Sequence, residues 1–219
     1  VNHEFLGLVS LREVVRRQEY HLHYVSQNSD GVILGFECEP VITLGVRGSE
    51  NDLEASPEAL EARGFAVERV DRGGQATVHN PGQLVIFPIV AVHDFGARNW
   101  VNFLLRVTRL TLHSFGCESE CREGQPGLYT NKGKVASIGV RFRQGISTHG
   151  VAINIHNELS DFGLIRACGI RRAPVDQLGG SFRVEEVFSR WLEIFSKELP
   201  PELTKPSNLQ NLKPSRARL

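Results

Sequence analysis

Between positions 97 and 115 apolar residues recur at helical spacing, at Trp100, Val101, Leu104, Leu105, Leu112 and Phe115, and the run stops at Gly116. A stripe of that width has to be buried against another layer, and a glycine just past the last periodic residue is what a helix C-terminus needs. The layer it needs is written nearby. Short runs rich in β-branched and aromatic residues at 32–38, 41–44, 65–70, 84–90, 134–142 and 148–155 read as strands, the last two joined by a loop of hairpin length, 143–147, that contains Gly145. Further helices are predicted over 11–25, over a short stretch bracketed by Ser56, Pro57 and Gly64, and over 182–199 with Ser181 as N-cap and Pro200 and Pro201 as the stop. Strands and helices mix without strict βαβ alternation. That pattern predicts an α+β fold, a mixed β-sheet sandwich with flanking helices.

A chain of 219 residues is expected to form one domain over 1–200, followed by a flexible polar tail over 201–219 that has little to bury. The 25 basic and 25 acidic side chains cancel, so the electrostatic footprint of a nucleic-acid or anionic-membrane binder is missing. No apolar run approaches the roughly 18 to 20 residues that span a bilayer, and residues 1–10 lack the basic flank and apolar centre of a signal peptide. No nucleic acid, no membrane and a cytoplasmic location are therefore expected. Cys38, Cys117, Cys121 and Cys168 are too scattered for a disulfide framework or a zinc site, and each taken alone reads as a small buried hydrophobe.

Three segments carry chemistry. The first holds Arg72, Gly73, Gly74, Gln75, Ala76, Thr77, Val78 and His79, then Asn80, Pro81, Gly82 and Gln83, between two strands. Paired glycines let main chain approach a ligand, and Pro81 with Gly82 fixes a turn. Neither a phosphate loop nor a dinucleotide fingerprint fits, since no Lys-Ser/Thr pair follows and the glycine spacing is wrong. The second starts a strand with Lys134 and continues through Ser137, Ile138 and Gly139; a lysine there is ordinarily a solvated charge. In the third, Cys168 is followed by Gly169 and Ile170 after a short turn over 160–163.

In this order the segments resemble the bacterial octanoyltransferases, or lipoyl(octanoyl) transferases, of the biotin/lipoate protein ligase fold group. The resemblance rests on Arg72, Gly73, Gly74 and Gln75, on Thr77, His79, Pro81, Gly82 and Gln83, on Lys134, Ala136, Ser137, Ile138 and Gly139, on His149 and Gly150, and on Cys168, Gly169 and Ile170. An upstream signature, Thr43, Leu44, Gly45, Arg47 and Gly48, extends it over most of residues 40–170. Val78, Asn80 and the pair Arg166 and Ala167 depart from the family pattern, which more often has an aromatic, a glycine and an Asn-Pro pair there.

The resemblance implies transfer of an octanoyl group from octanoyl-acyl carrier protein to the acceptor lysine of lipoyl domains, those of 2-oxoacid dehydrogenase E2 subunits and the glycine cleavage H protein. Neither ATP, another cofactor nor a metal is required, because the donor thioester is already activated. Cys168 becomes the nucleophile and Lys134 the group that lowers its pKa. A free thiol near pKa 8.5 is only a few per cent thiolate at neutral pH, and the thiolate is the attacking form. Lys134, or in competition His79, takes the proton of the attacking amine. An imidazole is expected to titrate nearer neutrality without help. Oxyanion donors are sought at the Gly169 N–H or in the glycine loop. The acyl groove is assigned to Gly73, Gly74, Ser137, Ile138, Gly139, Gly150, Val151 and Ala152, with His149 shaping a wall or serving as a buried structural histidine. An ATP-dependent lipoate-protein ligase and a non-catalytic module that only recognises lipoyl domains or acyl chains remain the rival readings.

Overall fold

Seven strands of the computed structural model form one sheet in the order β1-β2-β6-β10-β9-β8-β7, with residues 1–203 described apart from Ser29, Asp94, Cys168, Gly169 and Arg172. These strands are β1 (Asn2–Val9), β2 (Val32–Cys38), β6 (Gln83–Ile89), β7 (Glu120–Arg122), β8 (Gln125–Tyr129), β9 (Lys134–Arg143) and β10 (Ile146–Asn154). Among the described residues of this sheet only β1 and β2 run parallel; its other pairs are antiparallel. A second sheet has β3 (Val41–Leu44) between β4 (Ala66–Arg69) and β5 (Ala76–His79). The mixed α+β architecture expected from the patterning is what the chain adopts.

Alternation along each strand decides what each face of the large sheet buries. Ile33, Leu84, Ile86, Val151 and Ile153 point to one face, where α3 (Ala97–Ser114) and α4 (Val184–Glu198) pack; Val32, Leu34, Phe36, Val85 and Phe87 point to the other, covered by α1 (Leu11–Asn28). The first face is rich in aromatic rings. Trp100 and Trp191 are both fully buried there, and each indole N–H finds an acceptor, Ser147 Oγ at 2.7 Å and Thr108 Oγ1 at 3.1 Å. A third cluster lies under the small sheet, with α2 (Pro57–Glu61) and the 3₁₀ segment Leu159–Leu164.

The helix boundaries follow local chemistry. Gly116 takes φ +80, and the N–H groups of Gly116 and Cys117 cap the carbonyls of His113 and Leu112, ending α3 where the sequence predicts. Ser56 accepts a hydrogen bond from the Ala59 N–H at 3.3 Å, as its N-cap assignment requires. Ser181 is a correction: α4 begins at Val184, its N-cap is Arg183 without a side-chain cap, and Glu185 and Glu186 complement the helix dipole instead. The 143–147 loop is also shorter than expected. Arg143 pairs with Ile146, leaving a two-residue turn in which Gln144 (φ 50) and Gly145 (φ 76) are both left-handed, the geometry that matches strand twist. Pro201–Leu203 forms a 3₁₀ turn, and Leu203 packs on the aromatic cluster; the rest of the expected tail lies outside the described residues.

Among the described residues no helix is long and apolar enough to cross a membrane.

Candidate active site

A cavity of about 580 Å³ opens between the α1 side of the large sheet and the small sheet, within the range of roughly 300–1,000 Å³ usual for small-molecule sites. Its floor is made by what β9 and β10 lack. Gly139 stands opposite Gly150 and Ser137 opposite Ala152, so two successive cross-strand pairs present almost no side chain on this face. Ile138 and Val151 also border the cavity, but their side chains belong to the aromatic cluster on the opposite face, so they present strand backbone.

The wall is the glycine-rich segment. Gly73 donates its N–H to Val140 O at 3.0 Å, which docks the loop on β9; a Cβ added at Gly139 would lie 2.9 Å from Gly73 O, and one at Gly45 would lie 2.5 Å from Gly74 O. Side chains at these two glycines would push the loop away. Arg72 holds the loop from within: its guanidinium donates to Thr43 O and Oγ1, Gly73 O and Gln75 O at 2.7–3.1 Å. Burial lowers its pKa to about 10, so it stays charged at neutral pH. The sequence marks Arg72 as a substrate-loop residue, and the structure gives its donors to main chain and Thr43.

Gln75, Ala76, Thr77 and His79 line the cavity. Val78 does not. On β5 its side chain alternates away from the ligand space and is fully buried in the third cluster, which explains why an aliphatic residue serves at that position. A second departure, Asn80, ties the turn to the neighbouring segment through Nδ2 bonds to Glu158 O (2.9 Å) and Asp161 Oδ2 (2.7 Å), while its Oδ1 accepts from Asn157.

Lys134 closes one end, its Nζ 5.3 Å from the centroid of the Tyr129 ring. A strap holds this end in place: Lys134 N–H donates to Pro174 O at 2.9 Å, Asp176 N–H donates to Lys134 O at 3.0 Å, and Thr130 Oγ1 donates to Asp176 Oδ2 at 2.6 Å. Ala173, Pro174 and Val175 line the same cavity as Lys134. Arg166 and Ala167 (β11) pair with Ile170 and Arg171 (β12), whereas Cys168 and Gly169 lie outside the described residues. Of the other thiols, Cys38 is buried and its pKa is pushed up to about 12 by desolvation, which makes it an inert core group.

Sequence reasoning missed Arg122 and Tyr129, both at the cavity, and named Arg47 only within a family signature, without a place in the site. Arg122 lies over the Tyr129 ring, 4.6 Å from its centroid. The lining thus carries Arg47, Arg72, Arg122 and Lys134, and no carboxylate among the described residues. Strand pairing of β7 and β8 was the one signal that would have revealed Arg122, and those strands are too short and polar to read.

His149 is both of the things expected of it. It lines the cavity and is 3% exposed, held at φ 55 with its N–H donated to Gln18 Oε1 (2.6 Å) and its Nε2 2.7 Å from Asp71 Oδ1. Desolvation lowers its pKa against the opposing pull of Asp71. His79 departs from the sequence expectation of near-neutral titration. Desolvation, only partly countered by its bond to Gln83, pushes its pKa to about 4. Both imidazoles are therefore neutral in the fold and gain protons more readily when it opens. Between about pH 6.5 and pH 4 the unfolded chain binds more protons than the native one, so stability falls as pH falls across that window. For His79 alone the loss amounts to about 3 kcal/mol. Denaturant melts at stepped pH are expected to show it, and His79→Gln should flatten the acid slope; an unchanged slope would contradict the burial account.

Relatives now give this site a context. Residues 11–196 match the model of the lipoyl protein ligase A/B catalytic domain. The octanoyltransferase of Nitratidesulfovibrio vulgaris is 37% identical over 175 residues, covering 79% of this chain and 80% of that protein. The octanoyltransferase of Shewanella piezotolerans is 34% identical over 199 residues, covering 89% and 88%. In fold, the bipartite lipoate protein ligase of Thermoplasma acidophilum superposes with a TM-score of 0.74 at 15% identity, over 90% of this chain and 83% of that one. The chain belongs to the lipoyl protein ligase A/B catalytic domain family and, within it, to the octanoyltransferases.

Proposed function

We propose that the protein carries an octanoyl group from octanoyl-acyl carrier protein, through a thioester on Cys168, to the acceptor lysine of lipoyl domains on 2-oxoacid dehydrogenase E2 subunits and the glycine cleavage H protein. The observation that carries this reading is a cavity floored by Gly139, Gly150, Ser137 and Ala152, with Lys134 at one end and, beside it, the strap that follows Cys168 in sequence. A bare floor suits an acyl chain, which needs apolar room more than polar contacts. A lining with four basic side chains suits chemistry that passes through a thiolate and an oxyanion.

The steps balance through one proton. The Cys168 thiolate attacks the donor carbonyl, the bond to the carrier sulfur breaks, and Lys134 gives the departing thiolate its proton. The neutral acceptor amine then attacks the Cys168 thioester. As the amide forms, its surplus proton passes to Lys134 and the Cys168 thiolate leaves, which restores the starting pair. For the oxyanion, the Gly73 N–H is already given to Val140 O, which leaves Gly169 and the rest of the loop as the donors to consider. The same reading places the enzyme in the cytoplasm, with its substrates.

Intact-protein mass spectrometry after mixing with octanoyl-acyl carrier protein, without nucleotide, tests the proposal. The expected spectrum shows a gain of one octanoyl group, discharged on adding apo-lipoyl domain and lost in Cys168→Ser. Transfer that appeared only with free octanoate and ATP would establish the ligase chemistry instead. Full turnover by Cys168→Ser would remove the thioester from the mechanism.

A further inference from the structure

His79, Gln83 and Asn154 form a chain of hydrogen bonds whose polarity can be assigned from its far end. Asn154 Nδ2 lies 3.0 Å from Asp176 O and 3.4 Å from Lys134 O, and main-chain carbonyls only accept, so the amino end of Asn154 faces them. Its Oδ1 therefore faces Gln83, which is its cross-strand partner, and accepts from Gln83 Nε2 at 2.9 Å. A second anchor agrees: Gln83 Nε2 also donates to Val78 O at 3.3 Å. With its amino group so placed, Gln83 turns Oε1 toward His79 Nδ1, 2.6 Å away. An amide oxygen only accepts, so Nδ1 carries the hydrogen. In a neutral imidazole the other nitrogen, Nε2, is then a bare acceptor. His79 borders the cavity, and among the described residues Nε2 has no hydrogen-bond partner.

We propose that Gln83 and Asn154 are positioning residues that lock His79 in the Nδ1–H tautomer, so that Nε2 stands as a fixed acceptor for an N–H of the incoming acceptor amine. The proposal rests on the octanoyl-transfer reading for its substrate, and on the hydrogen-bond chain alone for its tautomer. An amine that gives one N–H to a fixed acceptor has its lone pair aimed rather than tumbling, which is a positional contribution to attack on the thioester. His79 does not store the proton. Nε2 sits in a desolvated site, and the nearby Arg72 guanidinium also opposes protonation of the ring, so the proton released by amide formation goes on to Lys134. This separates two roles that the residues alone leave in competition.

The test uses the full-length protein labelled with ¹⁵N in histidine. The wild-type spectrum at neutral pH is expected to show His79, assigned by its loss in His79→Gln, with a pyrrole-type Nδ1 and a pyridine-type Nε2. The reverse pattern, or an imidazolium, overturns the proposal whatever the enzyme's substrate proves to be. In Gln83→Leu the ring should lose the fixed pattern and populate the Nε2–H tautomer. Single-turnover rates then locate the effect: the rate of discharge to apo-lipoyl domain, relative to the rate of acyl-enzyme formation, is expected to fall about tenfold, the worth of one well-placed hydrogen bond. Equal slowing of both half-reactions would overturn the assignment to the amine, and a Gln83→Leu enzyme with the wild-type ring spectrum would overturn the lock. Because failure of octanoyl transfer itself would show as absence of any adduct in the wild type, it is distinct from each of these results.

Discussion

Lys134→Met is expected to lower octanoyl transfer by about 10³-fold, with a folded protein and an intact cavity. The side chain is asked for two things. In the proposed mechanism its ammonium holds the Cys168 sulfur ionised, and without that help a thiol near pKa 8.5 is only a few per cent thiolate at neutral pH. In the same proposal it also moves the proton between the two half-reactions, and proton transfer by a positioned group contributes about 10² to 10⁴ on its own. Met keeps the volume and can still lie on the Tyr129 ring, 5.3 Å from which the ammonium sits in the native enzyme. Lys134→Arg separates the two roles. A guanidinium retains the charge and the ring contact but does not deprotonate in a protein, so acyl-enzyme should still form, the carrier sulfur leaving as a thiolate that solvent protonates, while its discharge to the acceptor fails. Rapid-quench mass spectrometry of both half-reactions, with the pH dependence of Cys168 alkylation in each variant, checks this. Alkylation profiles that coincide in wild type and Lys134→Met would dissociate Lys134 from the thiol and sink the pair.

How far the sequence reaches can be read from individual residues. The 97–115 helix is legible because its apolar stripe and its Gly116 stop are both local signals, and the structure uses both. The cavity floor is legible only because Gly139 and Gly150 fall in motifs; that they stand opposite one another is a matter of strand register, which no residue states by itself. β1 escapes notice because Gly7, at φ +67, and a register shift between Phe5 and Leu8 break its alternation. Strands β7 and β8 escape because they are short and polar, and with them go Arg122 and Tyr129. Charge assignments fare worst. Arg72 looks like a hand for a substrate and spends its donors on main chain and Thr43, and His79 looks like a base near neutrality and is buried into the acid range. Both features have one cause: solvation and hydrogen-bond partners are properties of the tertiary environment, and they outweigh the intrinsic behaviour of a side chain.

The same dependence on surroundings makes Gly127 a control point for Lys134. This glycine lies in β8 at φ +134, where side chains are rarely tolerated, and a Cβ added there would stand 2.5 Å from Ala136 O and 2.8 Å from Lys134 Cε. The two obstacles differ in stiffness. Ala136 O belongs to the backbone of β9, opposite Leu128 in the ladder, whereas the Lys134 side chain can swing. Gly127→Ala is therefore expected to displace the lysine while the backbone strain costs about 1–3 kcal/mol of stability. A displacement near 1 Å in a reacting group can cost about 10²-fold, and the loss should fall on kcat with little change in KM, since the floor and the glycine loop proposed to bed the acyl chain are untouched. Thermal melts and steady-state kinetics below the melting range measure the two effects separately. The decisive comparison is the double variant: once Lys134 is Met, adding Gly127→Ala should cost almost nothing more in rate while still lowering the melting temperature, because a misplaced group can be lost only once. Rate losses that multiplied in the double variant would mean that Gly127 acts on something other than the lysine.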